Sequence, residues 1–180
     1  MHPRVSLFSR LLGKKPDDRA AVRELWHRVV ELARAREWYA DCGVADTVPG
    51  RFDMLTLVLA SVLLRMEREA ALIAPSALLS ELFVADMDGQ MRQSGVGDLV
   101  VGKRMGKLMG ALGGRLGALR EVLALAKGPA RDAALVEVAR RNATLTPAGD
   151  PAQIASRLQA LAVRLDATGA SELLAGRIAP

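Results

Sequence analysis

The stretch ELFVADMDGQMRQSGVGDLVVGKRMGK, residues 81–107, limits the fold more than any other part of the chain. Helical spacing runs through Glu81–Gln93, the triplet Gly95-Val96-Gly97 stops it, and Asp98 opens a second helix. Glycine at position 95 can take the left-handed conformation that closes a helix. Asp98 is a good N-cap, because its carboxylate can accept a backbone N–H of the first turn, an interaction worth about 1 kcal/mol. Two helices joined by so short a corner meet at one angle. The bend brings Asp86, Asp88, Arg92, Lys103 and Arg104 close together, where they can present a surface.

Strand signals are scarce in the rest of the chain. Hydrophobic residues make up 51% of the 180 but aromatics only 3%, so Leu, Ala, Val and Met must build the core. Long helical periods punctuated by Pro, Gly and Asp predict an all-α, single-domain bundle of about six helices, with the glycine corner between the third and fourth. Residues 1–16 read as a flexible basic and apolar segment, and residues 17–180 as the helical domain. That N-terminal segment carries Val5, Leu7, Phe8, Leu11 and Leu12 among basic residues and has no acid. It is too short and interrupted for a secretory signal, and three readings stay open: a frayed start, a membrane-surface anchor through residues 4–15, or the vestige of a targeting peptide. The most apolar run, Met54–Leu64, falls well short of the ~20 residues a membrane helix needs, so no bilayer-spanning segment is expected.

In chain order, the first helix is expected from Asp17-Asp18 to about Trp38-Tyr39, with Val22, Leu25, Trp26, Val29, Val30 and Ala33 on its apolar face. The second starts near Asp53, runs through Arg68 and is apolar nearly all round, which places it at the bundle centre. Pro75 and Ser76 open the third. The fourth, Asp98 to about Lys127, carries Gly102, Gly106 and Gly110 four apart, then Gly113, Gly114 and Gly117. Each costs a helix about 0.8–1 kcal/mol relative to alanine. Close packing of this small-residue strip within the protein's own bundle is the expected compensation; an association strip for another helix, as in membranes, and a bend or break near Gly113-Gly114 are the alternatives. A short helix over Arg131–Asn142 follows, then one with Asp150 as cap, Pro151 at its first position and Ile154, Leu158, Leu161 and Leu165 inward.

No catalytic constellation emerges. The two histidines, His2 and His27, stand far from the single cysteine, Cys42, and no spacing suits zinc. Asp86 and Asp88, two residues apart on a helix, point to different faces, and Asp88 is placed to pair with Arg92 at i+4. The glycines of GVGDLVVG follow a helix and not a strand, which removes a dinucleotide reading. A net charge of +5 and a pI near 10.0 favour anionic partners: anionic lipid, RNA or an acidic protein face. These features describe a binder, with no cofactor called for. A ribosome- or RNA-binding helical protein is the competing class. It would need aromatic stacking platforms that six aromatic residues scarcely supply.

The block FVADMDGQMRQSGVGDLVVGKRMGKL resembles the signature of the ubiquinol–cytochrome c chaperone family, assembly factors of the cytochrome bc1 complex. Phe83, Asp86-Met87-Asp88, Arg92, Gly95-Val96-Gly97-Asp98, Val101-Gly102-Lys103 and Arg104 carry the likeness. An upstream block adds Trp38-Tyr39, Gly43-Val44, Asp46 and Arg51-Phe52-Asp53-Met54-Leu55. Two departures stand out: Val58 occupies a place where the family often has histidine, and the glycine run after Lys107 exceeds the family pattern. The resemblance implies a non-enzymatic chaperone that binds newly made cytochrome b, in mitochondrial members near the ribosomal exit site and with a small helical partner. It implies no specific DNA contact. A bacterial cytoplasmic protein peripheral to the inner membrane is expected, or one on the matrix side of a mitochondrion. The implied client-binding residues are Arg51, Phe52, Asp53, Phe83, Asp86, Met87, Asp88, Arg92, Gly95, Val96, Gly97, Asp98, Gly102, Lys103 and Arg104. Phe52, Phe83, Met87, Met91 and Val96 would supply apolar contact and the charged residues orientation; the alternative is that Phe52, Phe83 and Met91 are core residues while the charges cap and solvate helices.

Overall fold

The apolar helix expected at the centre is there. α3, Val48–Glu67, buries 13 of its residues, with Leu57, Val58, Leu59, Ala60 and Val62 wholly enclosed. The computed structural model describes residues 18–93, 95 and 98–178. The N-terminal segment 1–16, with its anchor reading, lies outside the described residues, as do Val96 and Gly97. Around α3 stand α1 (Arg23–Ala33), α2 (Arg36–Ala40), α4 (Ile73–Gln93), α5 (Asp98–Ala124), α6 (Pro129–Asn142), α7 (Pro151–Ala167) and α8 (Ala170–Leu174). Short 3-10 turns, Asp18–Val22 and Ala70–Leu72, lead into α1 and α4. Apart from one isolated bridge between Val44 and Leu145, the described residues hold no β structure.

Helix starts follow local chemistry. The Thr47 side chain accepts the Gly50 N–H and Pro49 sits in the first turn, so α3 begins five residues before Asp53 and not beside it. Asp150 accepts the Ala152 N–H at 2.9 Å, with Pro151 at the first helical position, as the sequence predicts. The third helix opens at Ile73, two residues earlier than Pro75 suggests.

The first helix does not continue to Tyr39. It ends at Ala33, and Ala35 is extended (φ −54°, ψ 130°) before α2 starts. A helix leaves its last carbonyls without intrahelical donors. Here Trp38 Nε1–H donates to the Leu32 carbonyl at 2.8 Å and the Tyr39 hydroxyl to the Ala33 carbonyl at 2.9 Å. The break thus satisfies two end carbonyls and buries Trp38.

Gly95 closes α4 with φ +77°, as the corner requires. α5 starts at Asp98, whose side chain lies outside the described set, and it runs unbroken through Gly113-Gly114. The close packing expected at its glycines is absent. A Cβ built at Gly102, Gly106, Gly110, Gly113, Gly114 or Gly117 would meet nothing within 4 Å. The buried residues of α5, Val101, Leu112, Arg115, Leu119 and Val122, lie on the opposite side, and the glycine strip faces outward. Its stability comes from that inner face.

A glycine contact does form elsewhere. Gly43 has φ +70°, and a Cβ there would stand 2.5 Å from the Gly149 Cα, so the loops after α2 and α6 touch backbone to backbone. One sequence statement is narrowed. Ala70–Gln93 is long and apolar enough to cross a membrane by length and composition alone, a test that a core helix of a bundle also passes. The interrupting Ser76, Ser80, Glu81 and Asp86 hid this from a search for unbroken apolar runs. In the bundle Leu72, Leu79, Phe83 and Met87 face the core.

Candidate functional site

Four helices converge on an apolar groove of about 610 Å³. The C-terminal end of α1 contributes Val30, Ala33 and Arg34; the start of α3 gives Val48, Pro49, Arg51, Phe52 and Leu55. The last turns of α4 add Asp86, Met87, Gln90 and Met91, and α5 adds Arg104, Lys107 and Leu108. Val48 is 84% exposed at the lip. Phe52 is half-buried in the wall, its ring 6.4 Å from that of Phe83 beneath.

Charge at this groove is one-sided: four cations against the single carboxylate of Asp86. Arg51 is held by Asp46 through contacts of 2.6 and 3.2 Å, and that hydrogen bond keeps the Asp46 carboxyl below its ordinary range. Asp86 accepts the Gln90 amide at 3.2 Å. Arg34, Arg104 and Lys107 make no ion pair among the described residues.

Behind the Phe52 wall lies a buried polar network. Asp53 takes a 2.5 Å hydrogen bond from Arg115 and, on its other oxygen, the Thr144 N–H at 2.9 Å and hydroxyl at 2.7 Å. Arg115 also donates to the Asn142 carbonyl, and its guanidinium stands 5.8 Å from the centre of the Phe52 ring. Burial pushes the Arg115 pKa down while the Asp53 charge pulls it up. The network ties α3, α5 and the loop after α6 to the back of the groove. Nothing in the local sequence pairs residues 62 apart.

The expected site residues separate into groups. Arg51, Phe52, Asp86, Met87 and Arg104 do come together in the groove, as does Met91. Phe83, 0% exposed, is a core residue packed edge-on to Trp26, which corrects its place among surface contacts. Asp53 is likewise buried and committed to Arg115. Asp88 and Arg92 pair at 2.7 Å and line a different groove of about 710 Å³ with Gly102, Val101, Met105 and Met109, so the two aspartates face different ways as their spacing requires. Lys103 is exposed and lines neither groove. Gly95 shapes the corner, whereas Val96, Gly97 and the Asp98 side chain are outside the described residues. The α1 wall and Val48 are not among the expected residues, because only tertiary packing brings them to the groove.

Among the described residues no three His, Cys, Asp or Glu side chains gather closely enough to hold a metal ion. Cys42 is buried in the core, and burial raises its thiol pKa, which makes it a poor nucleophile. None of the described aromatics is exposed for base stacking.

Comparison with known proteins adds an independent line. The model of the family described as Ubiquinol-cytochrome C chaperone matches residues 40–179. A solved structure, the crystal structure of the Cbp3 homolog from Brucella abortus, is 30% identical with a TM-score of 0.74, and the match covers 96% of this chain and 93% of that one. No curated protein matches the chain.

Proposed function

The chain belongs to the ubiquinol–cytochrome c chaperone family, and from that premise we propose that it holds newly made cytochrome b during assembly of ubiquinol–cytochrome c reductase, using the four-helix groove. The observation that carries this is that Arg51 and Phe52 from one sequence block and Asp86, Met87, Met91 and Arg104 from the other meet on one apolar floor with a charged rim. A membrane subunit awaiting assembly exposes apolar helices, and an amphipathic helix can lay its apolar face into such a groove. Met87 and Met91 give the floor side chains that adapt to an irregular surface. Holding needs no catalysis; a protein that binds only the unassembled client shifts its fate by mass action. In this reading the chain works at the cytoplasmic face of a bacterial inner membrane.

The test is affinity capture of the tagged protein from membranes in mild detergent, at low and high salt, with mass spectrometry. Cytochrome b retained at high salt supports an apolar groove as the holding surface. Recovery of only ribosomal proteins and RNA, removed by salt, would replace this reading with the basic-surface one.

A further inference from the structure

We infer that the groove discriminates among apolar helices by the charge at their ends, accepting segments that carry carboxylates and turning away those flanked by lysine or arginine. This rests on the reading that the groove holds the client. The charged groups facing it are Arg34 from α1, Arg51 from α3, Asp86 from α4, and Arg104 and Lys107 from α5. Arg51 shares its charge with Asp46, while Arg34, Arg104 and Lys107 have no ionic partner among the described residues. A helix laid on the apolar floor excludes water from these cations, and like charges brought together there are strongly unfavourable. Arg104 and Lys107 are three apart on α5, neighbours on its surface, so carboxylates one turn apart on the incoming helix meet both.

The consequence is selective. Short loops on the inner side of membrane proteins are rich in Lys and Arg. Most helix ends available on that side carry the wrong sign for this rim, and the groove therefore picks out the acid-ended minority. The occupant is a client helix with an acidic end. An anionic lipid shares the charge but is the competing source.

The experiment measures binding of the full chain to two fluorescent leucine–alanine helical peptides, one ending in a Glu pair and one in a Lys pair. The Glu peptide should bind at least about tenfold more tightly, and Arg104→Glu with Lys107→Glu should invert the order. Both residues are free of structural partners among the described residues, and an unchanged thermal melt confirms that the double variant folds. Equal affinities, a preference that survives the reversal, or full displacement of the Glu peptide by phosphatidylglycerol vesicles would each overturn the inference. Capture of cytochrome b by the unaltered protein separates the two levels. If it succeeds while the peptides show no charge preference, only the selectivity fails; if it fails, the holding role falls with it.

Discussion

Replacing Asp53 by alanine should be among the most damaging single changes near the groove. Asp53 and Arg115 keep only 12% and 10% of their side-chain surface, and both Asp53 oxygens are engaged. Removing the acid leaves the guanidinium buried beside Phe52 with only the Asn142 carbonyl as acceptor. Breaking one side of a buried pair costs about 3–5 kcal/mol. In a chain of this size each kcal/mol lowers Tm by about 2–4 °C, so the melt should fall by roughly 6–20 °C. Asp53→Leu with Arg115→Met removes both charges and should recover most of that loss, since an apolar replacement of a buried pair is often about neutral. The exposed Arg120–Glu67 pair is the control: despite contacts of 2.8 to 3.2 Å, Glu67→Ala should cost less than about 1 kcal/mol. Urea denaturation followed by circular dichroism reads all four proteins. A loss below about 1 kcal/mol for Asp53→Ala, or a double variant as unstable as the single one, would refute the assignment of a buried, mutually dependent pair.

Gly106→Ala should stabilise the protein by about 0.8–1 kcal/mol, because the added methyl meets nothing and the helix gains a better former. Destabilisation in the same denaturation assay would mean that the outer face of α5 is packed. Gly43→Ala should have the opposite sign and cost at least about 2 kcal/mol, combining left-handed backbone strain with a 2.5 Å approach to Gly149; a neutral result would disprove the loop contact. Phe83→Ala should cost about 3–5 kcal/mol as a core cavity, and a surface-like loss under 1 would return Phe83 to the binding face. Asp46, Glu137 and Glu172 are all held below their ordinary values of 3.8, 4.5 and 4.5 by hydrogen bonds from Arg51, Arg140 and Arg177. Their folded pKa values are depressed, so their contribution is fully present above the ordinary values and is lost as pH falls through the lower ones. Carboxyl NMR titration should place all three midpoints below 3.8, 4.5 and 4.5 respectively; midpoints at or above them would show the pairs to be absent in solution.

The parts of this fold that could be read in advance are those set by local chemistry. An all-round apolar helix has to be central, a Gly95 corner has to turn, and Asp150-Pro151 has to start a helix, because each depends on neighbours in sequence. What could not be read depends on distant partners. The break after Ala33 is fixed by Trp38 and Tyr39 reaching back to α1 carbonyls. The strip of glycines on α5 was visible, yet sequence spacing does not say which side meets a neighbour, and here the other side does. The groove was half legible. Its α4 and α5 residues and Arg51-Phe52 stand in recognisable blocks, whereas Val30 and Arg34 join only because α1 packs against α3 and α4.

A photo-crosslinking amino acid placed at Val48 tests the groove as the holding surface most directly. Val163 on α7 is the matched comparison, also an exposed valine, at 53% against 84%, but lining none of the grooves described. Irradiation in cells, followed by mass spectrometry of the adducts, should join cytochrome b to position 48 and not to position 163. Adducts of equal yield at both positions, or cytochrome b found only at 163, would contradict the assignment.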